Sequence, residues 1–224
     1  VVINIELEDL NRMLKRPISS TDFSRIIPGI GADPDEIGKN EATIEFFPDR
    51  PDLLSTEGVA RAVRAFTEQK LGLVVDNTKP ASTHMVVSPD VLKIRPFVLG
   101  GIARGVKLDD TSIKSLMELQ EKLHVTLGRK RKKVSIGIHD LSKLKAPFNY
   151  GTCSPHEPDF IQLQKNYEMT PEEILNEHPK GMEYAHLLKD FKKYPLITDK
   201  NGEVASLPPI INGALTTITR ETKE

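Results

Sequence analysis

The sequence predicts an α+β fold: a small N-terminal α/β module followed by a larger mixed α+β domain. Three observations predict it. Short alternating or β-branched stretches lie along the whole chain, among them Val1 to Ile5, Thr43 to Phe47 and Leu196 to Thr198. One run, from Asp110 to Leu127, keeps the 3.6-residue apolar period of a helix. No internal repeat or low-complexity tract interrupts them.

Taken in order, Val1 to Ile5 reads as a strand and Glu8 to Leu14 as a short helix. A second helix spans Ser19 to Ile27, with Ser19 and Asp22 at capping-box spacing and Pro28-Gly29 closing it. Gly31 to Pro34 is a turn and Thr43 to Phe47 a strand. Pro48-Asp49-Arg50-Pro51-Asp52 breaks the backbone before a helix with Val59, Val63 and Phe66 on one face, and Gly72 follows its end. Asp76 to Pro80 is a polar linker, which sets a boundary between residues 1–75 and 76–224. Met85 to Val87 and Phe97 to Val106 read as strands, the second holding the pair Gly100-Gly101. The long helix carries Ile113, Leu116, Met117, Leu123 and Leu127, with acids at its start and cations past its end to suit its dipole. It passes through Gly128 into Arg129-Lys130-Arg131-Lys132-Lys133, and a buried-strand pattern, Val134 to Ile138, delivers His139 and Asp140. Gly151 to Asp159 is a polar loop. Thr170, Pro171 and Glu173 form a capping box with proline at the first helical position. Leu196 to Thr198 and Val204 to Leu207 flank the hairpin turn Asp199 to Gly202. Pro208 to Gly213 is rigid and non-helical, and Thr216 to Thr219 reads as a further strand.

The chain has 224 residues, a formal net charge of -1 and a single cysteine, Cys153. One cysteine excludes an intrachain disulfide framework and points to a reducing cytoplasm. No apolar run reaches the roughly 20 residues of a membrane span, and the acidic N-terminus shows no signal peptide. The near-neutral total hides a strong asymmetry. Residues 1 to 90 balance at -5, residues 91 to 150 at +8 and the remainder at -4. A basic middle between acidic flanks points to a local anion-binding surface.

Arg129 to Lys133 has two readings: a solvated run completing a helix C-terminus, or a set of phosphate contacts in which Arg offers a bidentate fork and Lys a point charge. A histidine at a strand end is more often structural than catalytic, and neighbours on a strand face opposite ways, so His139 and Asp140 need not form a dyad. No Gly-x-Ser-x-Gly elbow, phosphate-binding glycine loop or metal-ligand cluster is present, and Cys153 has no evident partner. The residues alone support an α+β protein with a candidate RNA-binding turn and no evident nucleophile.

Seven stretches in order carry a resemblance. They are Pro48 to Ser55 with Glu57 to Arg61; Lys93 to Pro96; Leu119 to His124; Gly128 to Arg131; Ile136 to Asp140; Tyr194 to Ile197; and Ser206 to Gly213. Together they resemble the phenylalanyl-tRNA synthetase β-subunit family of archaeal and eukaryotic type, over the whole chain. The resemblance implies the N-terminal part of such a subunit: an N-terminal module, then a B3/B4 domain that binds the tRNA 3′ end and hydrolyses tyrosine wrongly esterified to tRNA(Phe). It implies that Arg129, Lys130, Arg131, Lys132 and Lys133 hold the tRNA, with Arg131 foremost. It further implies that Ile197, Ser206, Pro208, Pro209 and Asn212 line the substrate pocket, that His139 and Asp140 line or support it, and that the reaction runs through a positioned water, helped by a hydroxyl of the terminal adenosine, rather than a protein nucleophile. No cofactor or metal is expected here; ATP and Mg2+ serve the ligation reaction of the complete enzyme. The implied partners are tRNA(Phe) and the α subunit of an α2β2 assembly, with no DNA or membrane. In the family a further pocket strand follows the region resembling Thr219 to Lys223, so the domain is expected to be truncated at its C-terminus and its deacylation weak or absent. The alternative is a non-catalytic RNA-binding or subunit-interaction module.

Overall fold

The computed structural model describes residues 1–73, 75 and 77–224. The expected boundary and the start of the expected linker fall on Asp76, which lies outside the described residues. The chain forms two compact units, Val1–Thr78 with Lys114–Lys130, and Lys79–Ile113 with Arg131–Glu224.

The first unit is built on a three-stranded antiparallel sheet ordered β1 (Val2–Glu6), β3 (Glu41–Glu45), β2 (Asp33–Ile37). Alternation decides which face is buried: Ile3 pairs with Ile44 and Ile5 with Ala42, and all four are buried. Helices α1 (Leu7–Arg12), α2 (Ser20–Gly29) and α3 (Thr56–Phe66) supply Leu10, Phe23, Ile27, Val59 and Val63 to the same core. Ser19 caps α2 by accepting from the Asp22 amide at 3.1 Å. Phe66 departs from the expected apolar face, being 52% exposed; its ring lies over Gly29, where a Cβ would come within 2.5 Å of it. The turn expected at Gly31 to Pro34 ends early, because Gly31 takes φ +83° and β2 starts at Asp33. Helix α4 (Asp110–Val125) matches the long periodic run. Its Leu119 and Leu123 join the core of the first unit, whereas Leu127 lies past the helix and is exposed.

In the second unit a mixed sheet runs in the order β10 (Ile211–Asn212), β9 (Val204–Leu207), β8 (Tyr194–Thr198), β5 (Phe148–Cys153), β4 (Met85–Val87). β4 and β5 are parallel and the other pairs antiparallel. Helices α5 (Pro171–Glu177) and α6 (Pro179–Tyr184) pack on one face around Ile174, Leu188, Leu196 and Leu207, with the small pair β6 (Phe160–Ile161) and β7 (Glu168–Met169) adding Phe160 and Met169. The capping box forms as the sequence reads: Thr170 Oγ1 accepts from the Glu173 amide and the Glu173 carboxylate accepts from the Thr170 amide.

Four expected features differ. Phe97 to Val106 contains no strand, and Phe97 and Leu99 are almost fully exposed; an apolar run alone does not make a strand without a neighbouring ladder. Val134 to Ile138 is likewise irregular, with Val134 exposed. Thr216 ends a 3-10 turn, Ala214–Thr216, and opens no strand. The stretch read as a polar loop begins inside β5, the strand between β4 and β8. Among the described residues no helix is long and apolar enough to cross a membrane.

Candidate functional site

The ladder of the second unit brings separate segments into one row. Tyr150 of β5 pairs with Ile197 of β8, Ile197 with Ser206 of β9, and Ser206 with Asn212 of β10. Residues directly opposite on antiparallel strands project from the same face. Tyr150, Ile197, Ser206 and Asn212 therefore stand side by side on the face opposite Leu196, Leu207 and the helices. A bulge between β8 and β9, where Thr198 pairs with Val204, puts Val204 and Leu207 together on the helix side and leaves Ser206 on the other.

The row changes from apolar to polar along its length. Tyr150 is buried and its hydroxyl donates to the Arg95 carbonyl at 2.9 Å; burial pushes the phenol pKa up. Ile197 is half-buried. Ser206 Oγ lies 3.2 Å from Asn212 Oδ1 and 3.3 Å from the Ile211 carbonyl. Pro208 and Pro209 follow in the turn to β10, Pro209 buried and Pro208 half-buried.

His139 reaches the polar end. A Cβ on Gly137 would lie 2.6 Å from His139 Nε2 and 3.0 Å from Asn212 Oδ1, so both side chains occupy the space that only a glycine leaves free. His139 Nδ1 is 2.8 Å from Thr216 Oγ1, and that hydroxyl donates to the Gly213 carbonyl at 3.2 Å. The contact fixes the tautomer by the direction of that hydroxyl: if its proton goes to Gly213, Nδ1 carries the imidazole proton and Nε2 is an acceptor. Burial pushes the imidazole pKa down to about 4, so His139 is neutral at pH 7.

Asp140 faces other partners. Its carboxylate accepts from the Ser142 amide and hydroxyl and from Thr222 Oγ1 at 2.9 Å, and its amide donates to the Thr216 carbonyl. Burial raises its pKa, but these hydrogen bonds outweigh burial and hold the carboxyl below its usual range. Asp140 fastens residues 216–222 to the segment that carries His139.

The basic turn divides. Arg129 and Lys130 are exposed in the first unit; Lys132 and Lys133 are exposed in the second. Arg131 does not join them as a surface cation: it is buried, with Nη1 on the Ile210 and Pro209 carbonyls and its guanidinium over the Tyr184 ring. Nothing in the run of five cations distinguishes the one that turns inward. Cys153, on the helix-packed side of β5, is buried and its thiol is pushed up to about 11, which keeps it protonated and unreactive. No group of three or more His, Cys, Asp or Glu able to hold a metal ion occurs among the described residues.

The chain is 49% identical over 226 residues to the phenylalanine–tRNA ligase β subunit of Methanosarcina acetivorans, covering all of this chain and 40% of that protein. The β subunits of Methanosarcina barkeri and Archaeoglobus fulgidus are 47% and 41% identical over the whole chain. A crystal structure of an N-terminal fragment of the phenylalanyl-tRNA synthetase β subunit from Pyrococcus horikoshii superposes with a TM-score of 0.93 at 36% identity, covering all of this chain and 66% of that one. The chain belongs to the phenylalanine–tRNA ligase β-subunit family. It spans about 40% of the length of these curated relatives, and no protein-family model matches it.

Within this β-subunit region, three of the five pocket residues read from the sequence, Ile197, Ser206 and Asn212, share one cross-strand row with Tyr150, and Pro208 and Pro209 form the turn beside it. Sequence reading missed Tyr150, Gly137 and Thr216. Tyr150 had a signal in the aromatic and threonine positions of Phe148 to Cys153, masked by Asn149 and Gly151. The Thr216 contact with His139 spans 77 residues and leaves no local pattern.

Proposed function

We propose that this chain is the part of a phenylalanine–tRNA ligase that holds the aminoacylated 3′ end of tRNA(Phe) and hydrolyses tyrosine wrongly attached to it. The observation that carries the reading is the Tyr150–Ile197–Ser206–Asn212 row, an apolar wall running into a polar pair beside His139.

A hydrophobic phenylalanine site discriminates weakly against an analogue that only adds a hydroxyl, so fidelity calls for a second, hydrolytic site. There Ile197 packs against the aromatic ring, while Ser206 and Asn212 offer hydrogen bonds to the phenol. Phenylalanine would leave those polar groups unpaired, which opposes its entry. Two features favour water as the nucleophile. Cys153 is held as a buried thiol, and Ser206 Oγ contacts a carbonyl and an amide oxygen, neither of them a general base. Neutral His139, with Nε2 as acceptor, orients that water. The water oxygen attacks the ester carbonyl, the carbon–oxygen bond to the ribose breaks, and the ribose oxygen leaves with a proton. Lys132 and Lys133 supply phosphate contacts from this unit, and Arg129 and Lys130 are further candidates. ATP, Mg2+ and the ligation step belong on this reading to the α subunit, the partner in an α2β2 enzyme acting in the cytoplasm.

The test is deacylation by this chain of Tyr-tRNA(Phe) against Phe-tRNA(Phe). Faster release of tyrosine is expected. Salt-sensitive tRNA binding with no release above the spontaneous rate would reduce the role to RNA binding. Co-purification with the α subunit and no tRNA affinity would make it a subunit-interaction module.

A further inference from the structure

Arg131 is a cation with no place on the surface it was expected to serve. It is 6% exposed, although the residues on both sides of it are exposed. A buried charge persists only where hydrogen bonds compensate its lost hydration. Here Nη1 donates to the carbonyls of Ile210 at 2.7 Å and Pro209 at 3.3 Å, and the guanidinium carbon lies 4.4 Å from the centroid of the Tyr184 ring. The backbone is bent to deliver it. Arg129, Lys130 and Arg131 take φ of 48°, 54° and 62°, a left-handed run that side-chain-bearing residues adopt only where the surroundings enforce it.

These bonds grip the Pro208–Ile210 turn that joins β9 to β10. The ladder there is only two residues long, Ile211 on Leu207 and Asn212 on Ser206, too short to fix its own register. The turn is closed by the Ile210 amide on the Leu207 carbonyl at 2.8 Å, and the exit by the Gly213 amide on the Ala205 carbonyl at 2.9 Å. Arg131 takes the carbonyls at the middle of this segment, two residues before Asn212. Lysine cannot reproduce that hold, because a point charge on a flexible stem lacks the planar group that both stacks on the ring and donates along a fixed direction.

We infer that Arg131 is a positioning residue: it fixes the Pro208–Asn212 wall, and so the seat of Asn212 opposite Ser206, instead of contacting tRNA phosphate. Its catalytic consequence rests on the editing function proposed above; its structural part does not. The experiment compares Arg131→Lys, Arg131→Ala and Lys133→Ala in this chain by three readouts: amide exchange, the salt dependence of tRNA(Phe) binding, and kcat and KM for Tyr-tRNA(Phe) release. In both Arg131 variants exchange at the Ile210 and Gly213 amides rises at least tenfold, while that of Ile174 in α5 stays near wild type. Arg131→Ala leaves the salt slope of binding unchanged, whereas Lys133→Ala lowers it. Release of tyrosine loses at least tenfold in kcat in both Arg131 variants at nearly constant KM. A wild-type-like Arg131→Lys alongside an Arg131→Ala that lowers the salt slope would make Arg131 a phosphate contact and overturn the inference. A uniform rise in exchange across the unit, with kcat loss explained by unfolding, would overturn it as well. If the unaltered chain releases no tyrosine, the editing function fails, and the exchange data still decide whether Arg131 holds the wall.

Discussion

Replacing His139 by asparagine removes an imidazole that is neutral in the folded chain and keeps a short amide donor for Thr216. The folded pKa is lowered from 6.5 to about 4 by burial. Between those values the unfolded chain binds a proton that the folded chain refuses, so the unfolded state is favoured as the solution is acidified. The stability contributed by neutral His139 is fully present above about pH 6.5 and is lost as pH falls through about 4. At about 1.4 kcal/mol per unit of pKa, the whole window amounts to roughly 3.5 kcal/mol. Urea unfolding followed by circular dichroism at pH 7.5, 6.0, 5.0 and 4.5 reads it as a difference. The stability gap between wild type and His139→Asn narrows by about 2.5 kcal/mol from the first pH to the last, whatever the other groups contribute to both. The imidazole resonances give the pKa directly and report the proton on Nδ1. An imidazole titrating between 6 and 7 in the folded chain, or a gap independent of pH, would refute the half-buried neutral histidine and its role in holding water.

Three other outcomes test the frame around the site. In Gly181→Ala the new Cβ falls 1.6 Å from the Ile174 carbonyl oxygen, and in Gly58→Ala 1.8 Å from that of Asp52; each is expected to cost about 2–3 kcal/mol despite roughly 1 kcal/mol of helix propensity gained, seen as a fall in Tm of roughly 5–10 °C. Thr170→Ala removes the N-cap of α5 and lowers stability by about 1 kcal/mol in chemical denaturation; no change would mean that packing alone holds the helix. Lys132→Ala and Lys133→Ala each reduce the log–log salt slope of tRNA-end binding by about 0.7, the single-strand value per phosphate contact; an unchanged slope would remove them from the RNA surface.

Local patterns carried much of the fold because the interactions behind them are local. The caps at Ser19 and Thr170 satisfy amides three residues away, and the Asp199–Gly202 turn sets the register that pairs Ile197 with Ser206. The sequence resemblance put Ile197, Ser206 and Asn212 in one site, and the ladder shows how backbone pairing aligns them. The same local rules failed where partners lie far along the chain. Phe97 to Val106 has the apolar residues of a strand but no ladder, whereas Phe148 to Cys153, broken by asparagine and glycine, is a strand because β4 and β8 flank it.

By itself the sequence determined the helices and their caps, the hairpin from Leu196 to Leu207, the central basic charge and the family. Only the tertiary structure decided which charges face water and which side chains meet. Five consecutive cations are equivalent in a list, yet Arg131 turns inward because carbonyls of residues 209 and 210 and the Tyr184 ring compensate its burial. His139 acquires its low pKa and its Thr216 partner by the same means. Burial and pairing across 50 to 80 residues depend on how the backbone is folded back, and no neighbour in the sequence carries that information.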